Sequence, residues 1–396
     1  MADQFTTAEW EKINSTLAED PGKFGLPVRR YGSAVLGSFN IRKLGTASNR
    51  NSHVWRFLAH ICSHFDLIAV QEIMDNLSGL RRLLCELGPD FGVIISDITG
   101  AFPGNRGLAE RLGFIYNKRI VERTEIATDI TYDRTEILKT LALNRAAINP
   151  VMERYGVYLE ERQKYDNGEI AEKPKKPSAS KLRMPVFLSF IRQPCCVSFR
   201  IQGHPGTAPY EFMAVNAHLN YGDPNHDPIQ EFTALMRWIV ERAGQKGKAY
   251  YPDFILLGDL NLDFDDPVKD KARLENDIKG LNKVTNEGVS VNFPFLDQHP
   301  GCQDVFRTNA RLTETFDQIG LFSRDPRFPT YLQNPSMGQS PVGPDYGVFN
   351  FTELFARALK GESFAALSNA QQSDFYQRFQ YKVSDHMPLW LRIPLP

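Results

Sequence analysis

Short apolar runs alternate with amphipathic stretches over most of this chain. Apolar runs that are bounded by polar or turn-forming residues are typical of buried strands. On this basis we predict strands at Ser33–Phe39, Phe65–Val70, Gly92–Ser96, Leu112–Tyr116, Pro185–Phe190, Val197–Ile201, Glu211–Ala217, Asp253–Leu257 and Pro388–Ile393. The stretches between these runs are long enough for helices, so the two kinds of element are mixed along the chain.

Helices are predicted where apolar residues recur at helical spacing. Ser52–Ser63 follows this pattern behind a serine cap, and Leu77–Leu87 follows it again. A further helix begins at Asp227, which can cap it, and Pro228 suits its first position. The inner stripe of that helix is Ile229, Phe232, Met236 and Ile239.

This order of elements predicts an α+β fold (α/β layered) built on packed sheets. We divide the chain into an N-terminal extension, 1–32, and a single catalytic domain, 33–396. Two stretches are interpreted as helical insertions, at about 122–183 and 350–379. The first ends in the Lys- and Pro-rich stretch EKPKKPSASK, for which we expect a mobile loop.

Composition narrows the classes of protein. The chain has 396 residues, of which 42% are hydrophobic, and a formal net charge of −1. It therefore has no overall basic surface that would hold nucleic acid by charge alone, although a cleft can still be positive. We expect no signal peptide, no membrane span, and a cytoplasmic protein whose 5 cysteines are reduced and mostly buried.

Small polar clusters follow five of the apolar runs. Singly, each has an ordinary explanation, such as turn formation, a solvated charge or a structural histidine. Together they place carboxylates, carboxamides and two histidines at strand ends, where a rigid scaffold holds sites open to solvent. Such groups supply oxygen ligands for Mg²⁺ and acid–base groups for hydrolysis of a phosphate ester. They are Asn40, Glu72, His218, Asp259 with Asn261, and Asp385 with His386.

The same clusters carry a resemblance to a known family. FNIRKLG, VQE, NAHLN, GDLN, TFDQIG and SDHMPL resemble, in order and rough spacing, the endonuclease/exonuclease/phosphatase superfamily. Two further segments, GNRGLAERLGFIY and FIRQPCCVSF, are similar to its deoxyribonuclease I branch. The resemblance implies a four-layer αββα sandwich of the deoxyribonuclease-I-like type, with helical insertions and with the site at one edge of two facing sheets.

It also implies a role for each residue. Glu72 would be the principal ligand of Mg²⁺, for which Mn²⁺ can substitute, with Asn40 and Asp385 completing the metal and phosphate environment. Asp259 and Asn261 would orient the attacking water and hold the phosphate. The acid–base pair would be His218 and His386. Further assignments are Glu110 as the partner of His218, Asp317 as the partner of His386, and Arg192 and Arg42 as phosphate ligands. An alternative for Glu110 and Asp317 is a salt bridge with a nearby arginine.

The expected activity is metal-dependent phosphodiester hydrolysis, with DNA as the partner and endonucleolytic cleavage as the outcome. One alternative is a phosphatase or phosphodiesterase that acts on inositol phosphates, phospholipids or nucleotides. A third interpretation is a non-catalytic DNA-binding protein. Met74 and Leu108 occupy the positions where deoxyribonuclease I has an arginine and a tyrosine that enter the minor groove. The resemblance therefore leaves open a preference for single strands, a damaged site or a groove held by the insertions. We also expect the loop Ile41–Asn51, with Arg42, Lys43 and Arg50, to contact phosphate.

Overall fold

A computed structural model describes residues 5–99, 109–169, 175–177, 184–220, 227–245, 247, 249–262, 272, 276 and 288–396. The strands are β1 (Ser33–Leu44), β2 (Leu67–Met74), β3 (Phe91–Ile95), β4 (Glu110–Asn117), β5 (Val121–Asp129), β6 (Cys195–Ile201), β7 (Tyr210–His218), β8 (Phe254–Asp259), β9 (Ser290–Asn292), β10 (Asp317–Ser323), β11 (Asp345–Val348) and β12 (Leu389–Pro394). The helices are α1 (Thr7–Glu19), α2 (Ser52–Ser63), α3 (Ser78–Leu87), α4 (Arg134–Leu143), α5 (Arg145–Asp166), α6 (Asp227–Gly244), α7 (Phe351–Lys360) and α8 (Asn369–Phe379).

The strands form two mixed sheets of six strands each. The first has the order β11-β12-β1-β2-β4-β3, and the second has the order β5-β6-β7-β8-β10-β9. Pairing is parallel between β1 and β2 and between β7 and β8, and the other pairs are antiparallel. The sheets pack face to face, as in the edge-to-face contact of Phe114 with Phe199, whose ring centroids lie 5.4 Å apart.

Helices cover the outer faces of both sheets. On the first sheet, Trp10 of α1, Phe57 of α2 and Phe355 of α7 pack into one buried cluster. On the second sheet, the buried face of α6 packs with Val215 and Leu256 in a separate cluster. The predicted α+β fold of four layers, helix, sheet, sheet and helix, is confirmed.

Local sequence explains where these helices begin. The side chain of Thr6 accepts a hydrogen bond from the backbone of Glu9 while the Glu9 side chain accepts one from Thr6, a capping box that starts α1. Asn350 caps α7 by accepting from the backbone of Glu353 at 2.9 Å. The helix Ser52–Ser63 is confirmed, but its predicted cap is wrong: Asn51, and not a serine, accepts from the backbone of Val54.

Two predictions from periodicity are wrong. The stretch from Glu122 was assigned to a helical insertion, but Val121–Asp129 is β5, at the edge of the second sheet. Its polar residues face solvent, which hides the alternation of a strand. Pro185–Phe190 is not a strand. It forms a loop in which Phe187 and Phe190 pack against Tyr132. The helices predicted within 122–183 and 350–379 are present as α4, α5, α7 and α8.

The segment before Ser33 belongs to the same hydrophobic core as the strands. Trp10, Ile13 and Leu17 of α1 are buried, and α1 packs against α7. The predicted boundary after residue 32 stays a prediction, and most of EKPKKPSASK and the position of Leu108 lie outside the described residues. Cys62, Cys195 and Cys196 are buried free thiols, while Cys85 and Cys302 are exposed free thiols. Across the described ranges, no helix is both long and apolar enough to cross a bilayer.

Strand direction brings the predicted polar clusters to one edge. The parallel strands β1 and β2 carry Asn40 and Glu72 near their C-terminal ends, and the antiparallel strands β4 and β12 begin at that same edge. In the second sheet, β7 and β8 end at His218 and Asp259, while the antiparallel β10 begins there at Asp317. One edge of the sandwich therefore collects side chains that lie far apart in the sequence.

Gly258 allows the strand β8 to reach that edge. Its φ is +155°, and a Cβ at this position would lie 1.9 Å from the carbonyl oxygen of Ala217 on β7. We predict that Gly258→Ala lowers the free energy of unfolding by about 2 kcal/mol or more, from overpacking and backbone strain. Urea unfolding checks this, with Gly156→Ala in α5 as the control, because nothing lies within 4 Å of a Cβ there. Equal stability of both variants would contradict the prediction.

Candidate active site

Asp259 lies at the centre of the collected side chains. It is 1% exposed, and its register neighbours are His218 on β7 and Asp317 on β10. Asp259 Oδ2 accepts a hydrogen bond from Asn40 Nδ2 at 3.0 Å, across from the first sheet. The carboxylate therefore joins the two sheets at the predicted edge.

Two histidines face this carboxylate, and each pairs with a second one. His218 Nδ1 lies 3.0 Å from Glu110 Oε2, and His386 Nδ1 lies 2.8 Å from Asp317 Oδ2. The opposite ring nitrogens converge, because His218 Nε2 and His386 Nε2 lie 3.6 and 3.5 Å from Asp259 Oδ2. A carboxylate at Nδ1 fixes the tautomer and the ring orientation, so both Nε2 atoms are presented at one place.

The surrounding charges favour the protonated histidines. Burial alone lowers the pKa of His386, but the charges of Asp317 and Asp259 and the hydrogen bond to Asp317 raise it well above its usual value. For His218, burial and Arg192 lower the pKa, and the hydrogen bond to Glu110 and the charges of Asp259 and Glu110 outweigh them. The neighbouring carboxylates therefore raise the proton affinity of both imidazoles.

The central carboxylate is correspondingly stabilised as an anion. Burial raises the pKa of Asp259, but the charges of His386 and His218 and the hydrogen bonds from Asn40 and Asn261 leave it below the usual value. For Asp317, burial dominates and the pKa is raised. The site therefore holds a buried anion between two imidazoles.

A second group of oxygen atoms lies beside the first sheet. Asn40 Nδ2 donates to Glu72 Oε1 at 3.2 Å, and Glu72 Oε2 accepts from the backbone N–H of Lys43 at 2.9 Å. Burial, with a smaller contribution from the charge of Glu72, raises the pKa of Asp385 although His386 and Arg42 lower it. In the described part of the chain, Asn40 Oδ1 and Asp385 Oδ1 are buried without a hydrogen-bond partner.

This donor set fits a hard divalent cation. Carboxylate and carboxamide oxygens are the ligands that Mg²⁺ and Mn²⁺ take, and a cation would satisfy unpartnered oxygens that burial otherwise penalises. Asp259, Asp317 and His386 also offer ligand atoms within 4.8 Å of one another. In that trio, however, His386 Nδ1 and Asp317 Oδ2 already contact each other, so these two atoms are engaged within the protein.

Glu72 is held in a strained backbone conformation. Its φ is +58°, in the left-handed region, and the pairing of β2 with both neighbouring strands is irregular at this point. Such a conformation costs roughly 1–2 kcal/mol for a residue with a Cβ. Strain of this kind persists where the surrounding structure holds a functional side chain in place, and here it turns the carboxylate toward Asn40.

The predicted phosphate ligand Arg192 is engaged within the protein. It is 7% exposed, forms an ion pair with Glu110, and donates from Nη1 to the carbonyl oxygens of His218 and Leu219 at 3.3 and 3.1 Å. Glu110 thus contacts both an arginine and a histidine, so both interpretations of Glu110 apply. The contact of Arg192 with a substrate phosphate stays a prediction.

The three cations of the loop Ile41–Asn51 differ in their surroundings. Arg42 Nη1 lies 2.6 Å from Asp385 Oδ2, and Lys43 is exposed. Arg50 is buried and donates to the backbone carbonyls of Lys382, Lys43 and Arg42. Burial lowers the pKa of Arg50 to about 10, against the charge of Glu72. Arg50 therefore holds the loop to the core, and contact of this loop with phosphate stays a prediction.

Asn261 lies next to the central carboxylate. Its backbone N–H donates to Asp259 Oδ1 at 3.0 Å, and its Nδ2 donates to the carbonyl of Leu219 at 2.8 Å. A φ of +48° turns the chain sharply after β8. The structure therefore brings Asn261 to the site, with its amide nitrogen directed at the loop that follows His218.

The residues that support these groups were not predicted from the sequence. Ser384 Oγ donates to the carbonyl of Asn40 at 2.6 Å and accepts from the backbone N–H groups of Arg42 and His386. Between the sheets, Gln71 Nε2 donates to Asn216 Oδ1 at 2.7 Å. Gln71, Asn216 and Ser384 lie within the motifs VQE, NAHLN and SDHMPL. A polar residue inside an apolar run was therefore the pattern that could have identified them.

By sequence, this chain is similar to a protein that is named as a deoxyribonuclease. No family model matches the sequence. A curated relative, "Deoxyribonuclease" from Thioalkalivibrio sp. (strain K90mix), is 24% identical over 244 residues, which are 60% of this chain and 48% of the relative. The chain therefore spans about half the length of the curated relative that it matches.

Solved structures with a similar arrangement include proteins named for the superfamily that the motifs resemble. An endonuclease/exonuclease/phosphatase family protein from Bacteroides thetaiotaomicron has a TM-score of 0.45 at 13% identity, covering 91% of this chain and 97% of that chain. A humanized D. rerio TDP2 has a TM-score of 0.45 at 13% identity, covering 91% and 98%. A mannosyl-6-phosphatase of Bacteroides thetaiotaomicron VPI-5482 has a TM-score of 0.44 at 13% identity, covering 90% and 98%.

Proposed function

We propose that this protein is a Mg²⁺-dependent phosphodiesterase of the endonuclease/exonuclease/phosphatase superfamily that cleaves DNA endonucleolytically. One observation carries the proposal: two carboxylate-paired histidines direct their Nε2 atoms to the same oxygen of Asp259. Hydrolysis of a phosphodiester needs one group to accept a proton from water and another to supply a proton to the leaving oxygen. A pair of imidazoles at one place meets both needs.

Different residues of this chain orient the water, move the protons and hold the imidazole rings. Asp259, as a buried anion, accepts a hydrogen bond from the attacking water and orients it for in-line displacement. One imidazole removes the water proton at Nε2, and the other protonates the leaving oxygen, also from Nε2. Glu110 and Asp317 hold the rings at Nδ1 and stabilise each imidazolium while it carries its proton.

Glu72, Asp385 and Asn40 would hold the metal ion, as the unpartnered oxygens of Asn40 and Asp385 favour. The ion supplies charge stabilisation on the non-bridging phosphate oxygens when it is bound. Arg42, which contacts Asp385, would add positive charge at the same edge. These groups would neutralise the negative charge on the non-bridging oxygens of the phosphate.

DNA is the proposed substrate because the curated relative is named deoxyribonuclease. A substrate panel tests this choice: DNA, RNA, an inositol phosphate, a phospholipid and a nucleotide, each with Mg²⁺, with strand cleavage or product release measured. We expect cleavage of DNA at a rate at least about tenfold above every other substrate. Preferential hydrolysis of a small phosphate ester would retain the catalytic chemistry and contradict the substrate.

A further inference from the structure

An exposed tyrosine stacks on an arginine at the edge of the site. The guanidinium carbon of Arg42 lies 4.2 Å from the ring centroid of Tyr381. Tyr381 is nevertheless 54% exposed, so Arg42 leaves much of this side chain open to solvent. An aromatic face in this position is available to a flat ligand.

Contacts with Asp385, a proposed metal ligand, and with its neighbours along the chain fix the position of the Arg42 guanidinium. Arg42 Nη1 contacts Asp385 Oδ2 at 2.6 Å and donates to Gln380 Oε1 at 3.1 Å. The backbone N–H of Arg42 donates to Ser384 Oγ at 3.2 Å. These contacts hold the guanidinium of Arg42 next to Asp385. The ring of Tyr381, which stacks on that guanidinium, is therefore held near Asp385 as well.

A second stack of the same kind lies nearby. The guanidinium carbon of Arg311 lies 3.8 Å from the ring centroid of Tyr376 on α8. Arg311 follows Ala310, whose backbone N–H donates to the carbonyl of Asp385 at 2.8 Å. Both stacks thus border the segment that carries Asp385 and His386, and both combine an aromatic ring with a cation.

We infer that Tyr381, supported by Arg42, is a stacking platform for a base next to the scissile phosphate, and that the substrate is single-stranded DNA. The inference rests on the proposed function. A base within a duplex already has neighbours on both faces, whereas an unpaired base has a free face for an aromatic ring. Arginine beneath the ring adds charge that attracts the backbone.

The overall charge supports the same substrate. Binding that depends on phosphate contacts alone is favoured by an excess of positive charge, and this chain has a formal net charge of −1. Stacking supplies affinity without further charge, because every base has an aromatic face. A small site with a few cations and an aromatic platform is therefore suited to a short single-stranded segment.

The test compares Tyr381→Ala, Tyr381→Phe and the wild type on a labelled oligothymidylate, on a duplex containing it, and on bis(p-nitrophenyl) phosphate. We expect the wild type to prefer the single strand. Tyr381→Ala should lower kcat/KM on the single strand about 5- to 150-fold, the range expected for one lost base stack. Tyr381→Phe should stay within about twofold, and Tyr381→Ala should lower the hydrolysis of bis(p-nitrophenyl) phosphate much less than that of the single strand.

The control is Tyr31→Ala, because Tyr31 is 94% exposed and precedes the opposite end of β1. An equal loss on oligothymidylate and bis(p-nitrophenyl) phosphate would overturn the platform and show that Tyr381 only supports Arg42. An unchanged Tyr381→Ala would also overturn it while the proposed function stands. If the wild type hydrolyses neither substrate, the proposed function fails. Fluorescence anisotropy of oligothymidylate binding in EDTA then decides the platform, which requires weaker binding by Tyr381→Ala.

Discussion

Replacing His386 with alanine is expected to lower kcat by about 10²-fold or more, and His218→Ala should do the same. A positioned acid or base typically contributes 10²- to 10⁴-fold, and each ring presents Nε2 to Asp259 within 3.6 Å. Asp317 and Glu110 fix the two rings, so alanine at either position leaves the paired carboxylate with no imidazole to orient. Steady-state rates on a plasmid or an oligonucleotide measure the loss.

A third histidine provides a matched control for this experiment. His299 Nε2 lies 3.0 Å from Asp345 Oδ1, so it is also paired with a carboxylate. Asp345 pairs with Arg392, whose other register neighbour is Val35, near the start of β1 and away from Asn40. His299→Ala should retain kcat within about threefold. Near-normal activity of both His218→Ala and His386→Ala would refute the acid–base assignment.

Replacing Glu72 with glutamine should lower activity at millimolar Mg²⁺ by about 10²- to 10³-fold. A metal ion contributes several kcal/mol to the stabilisation of transition-state charge, and about 1.4 kcal/mol corresponds to tenfold. Glutamine keeps one oxygen, which can accept from either Asn40 or the backbone of Lys43, and it removes the negative charge. Initial rates over a range of Mg²⁺ concentrations should show a higher half-saturating concentration.

Glu86→Gln in α3 is the control for this change, because Glu86 forms a surface ion pair with Arg82. Its rate and Mg²⁺ dependence should match those of the wild type. Thermal unfolding of Glu72→Gln should show a melting temperature close to that of the wild type, which separates a lost ligand from a lost fold. An unaltered Mg²⁺ dependence would mean that Glu72 does not bind the metal.

The sequence predicts which residues meet at the site better than it predicts how they contact one another. Asn40, Glu72, His218 and Asp259 follow apolar runs, and strand direction alone brings strand ends together. The burial of Arg192 could not be predicted, because it depends on a contact with Glu110 from the other sheet. Pairings of this kind depend on register and packing and not on local pattern.

In the fold as well, elements with a strong local pattern could be predicted, and features that depend on distant contacts could not. Ser52–Ser63 has a clear apolar stripe and forms a helix with the predicted bounds. β5 was missed because Glu122, Arg123 and Glu125 are exposed on an edge strand, where alternation is weak. The core role of α1 depends on α7, which lies at the other end of the chain.

The most direct test of the central claim is nicking of a supercoiled plasmid. Wild-type protein is incubated with the plasmid in Mg²⁺, in Mn²⁺ and in EDTA, beside a folded Glu72→Ala/His218→Ala double variant. The proposed chemistry predicts nicked circles with either metal, none in EDTA and none from the variant. Nicking that persists in EDTA or in the variant would contradict the assigned site. Folded wild-type protein that leaves both the plasmid and a single-stranded circular DNA intact in Mg²⁺ would contradict the nuclease.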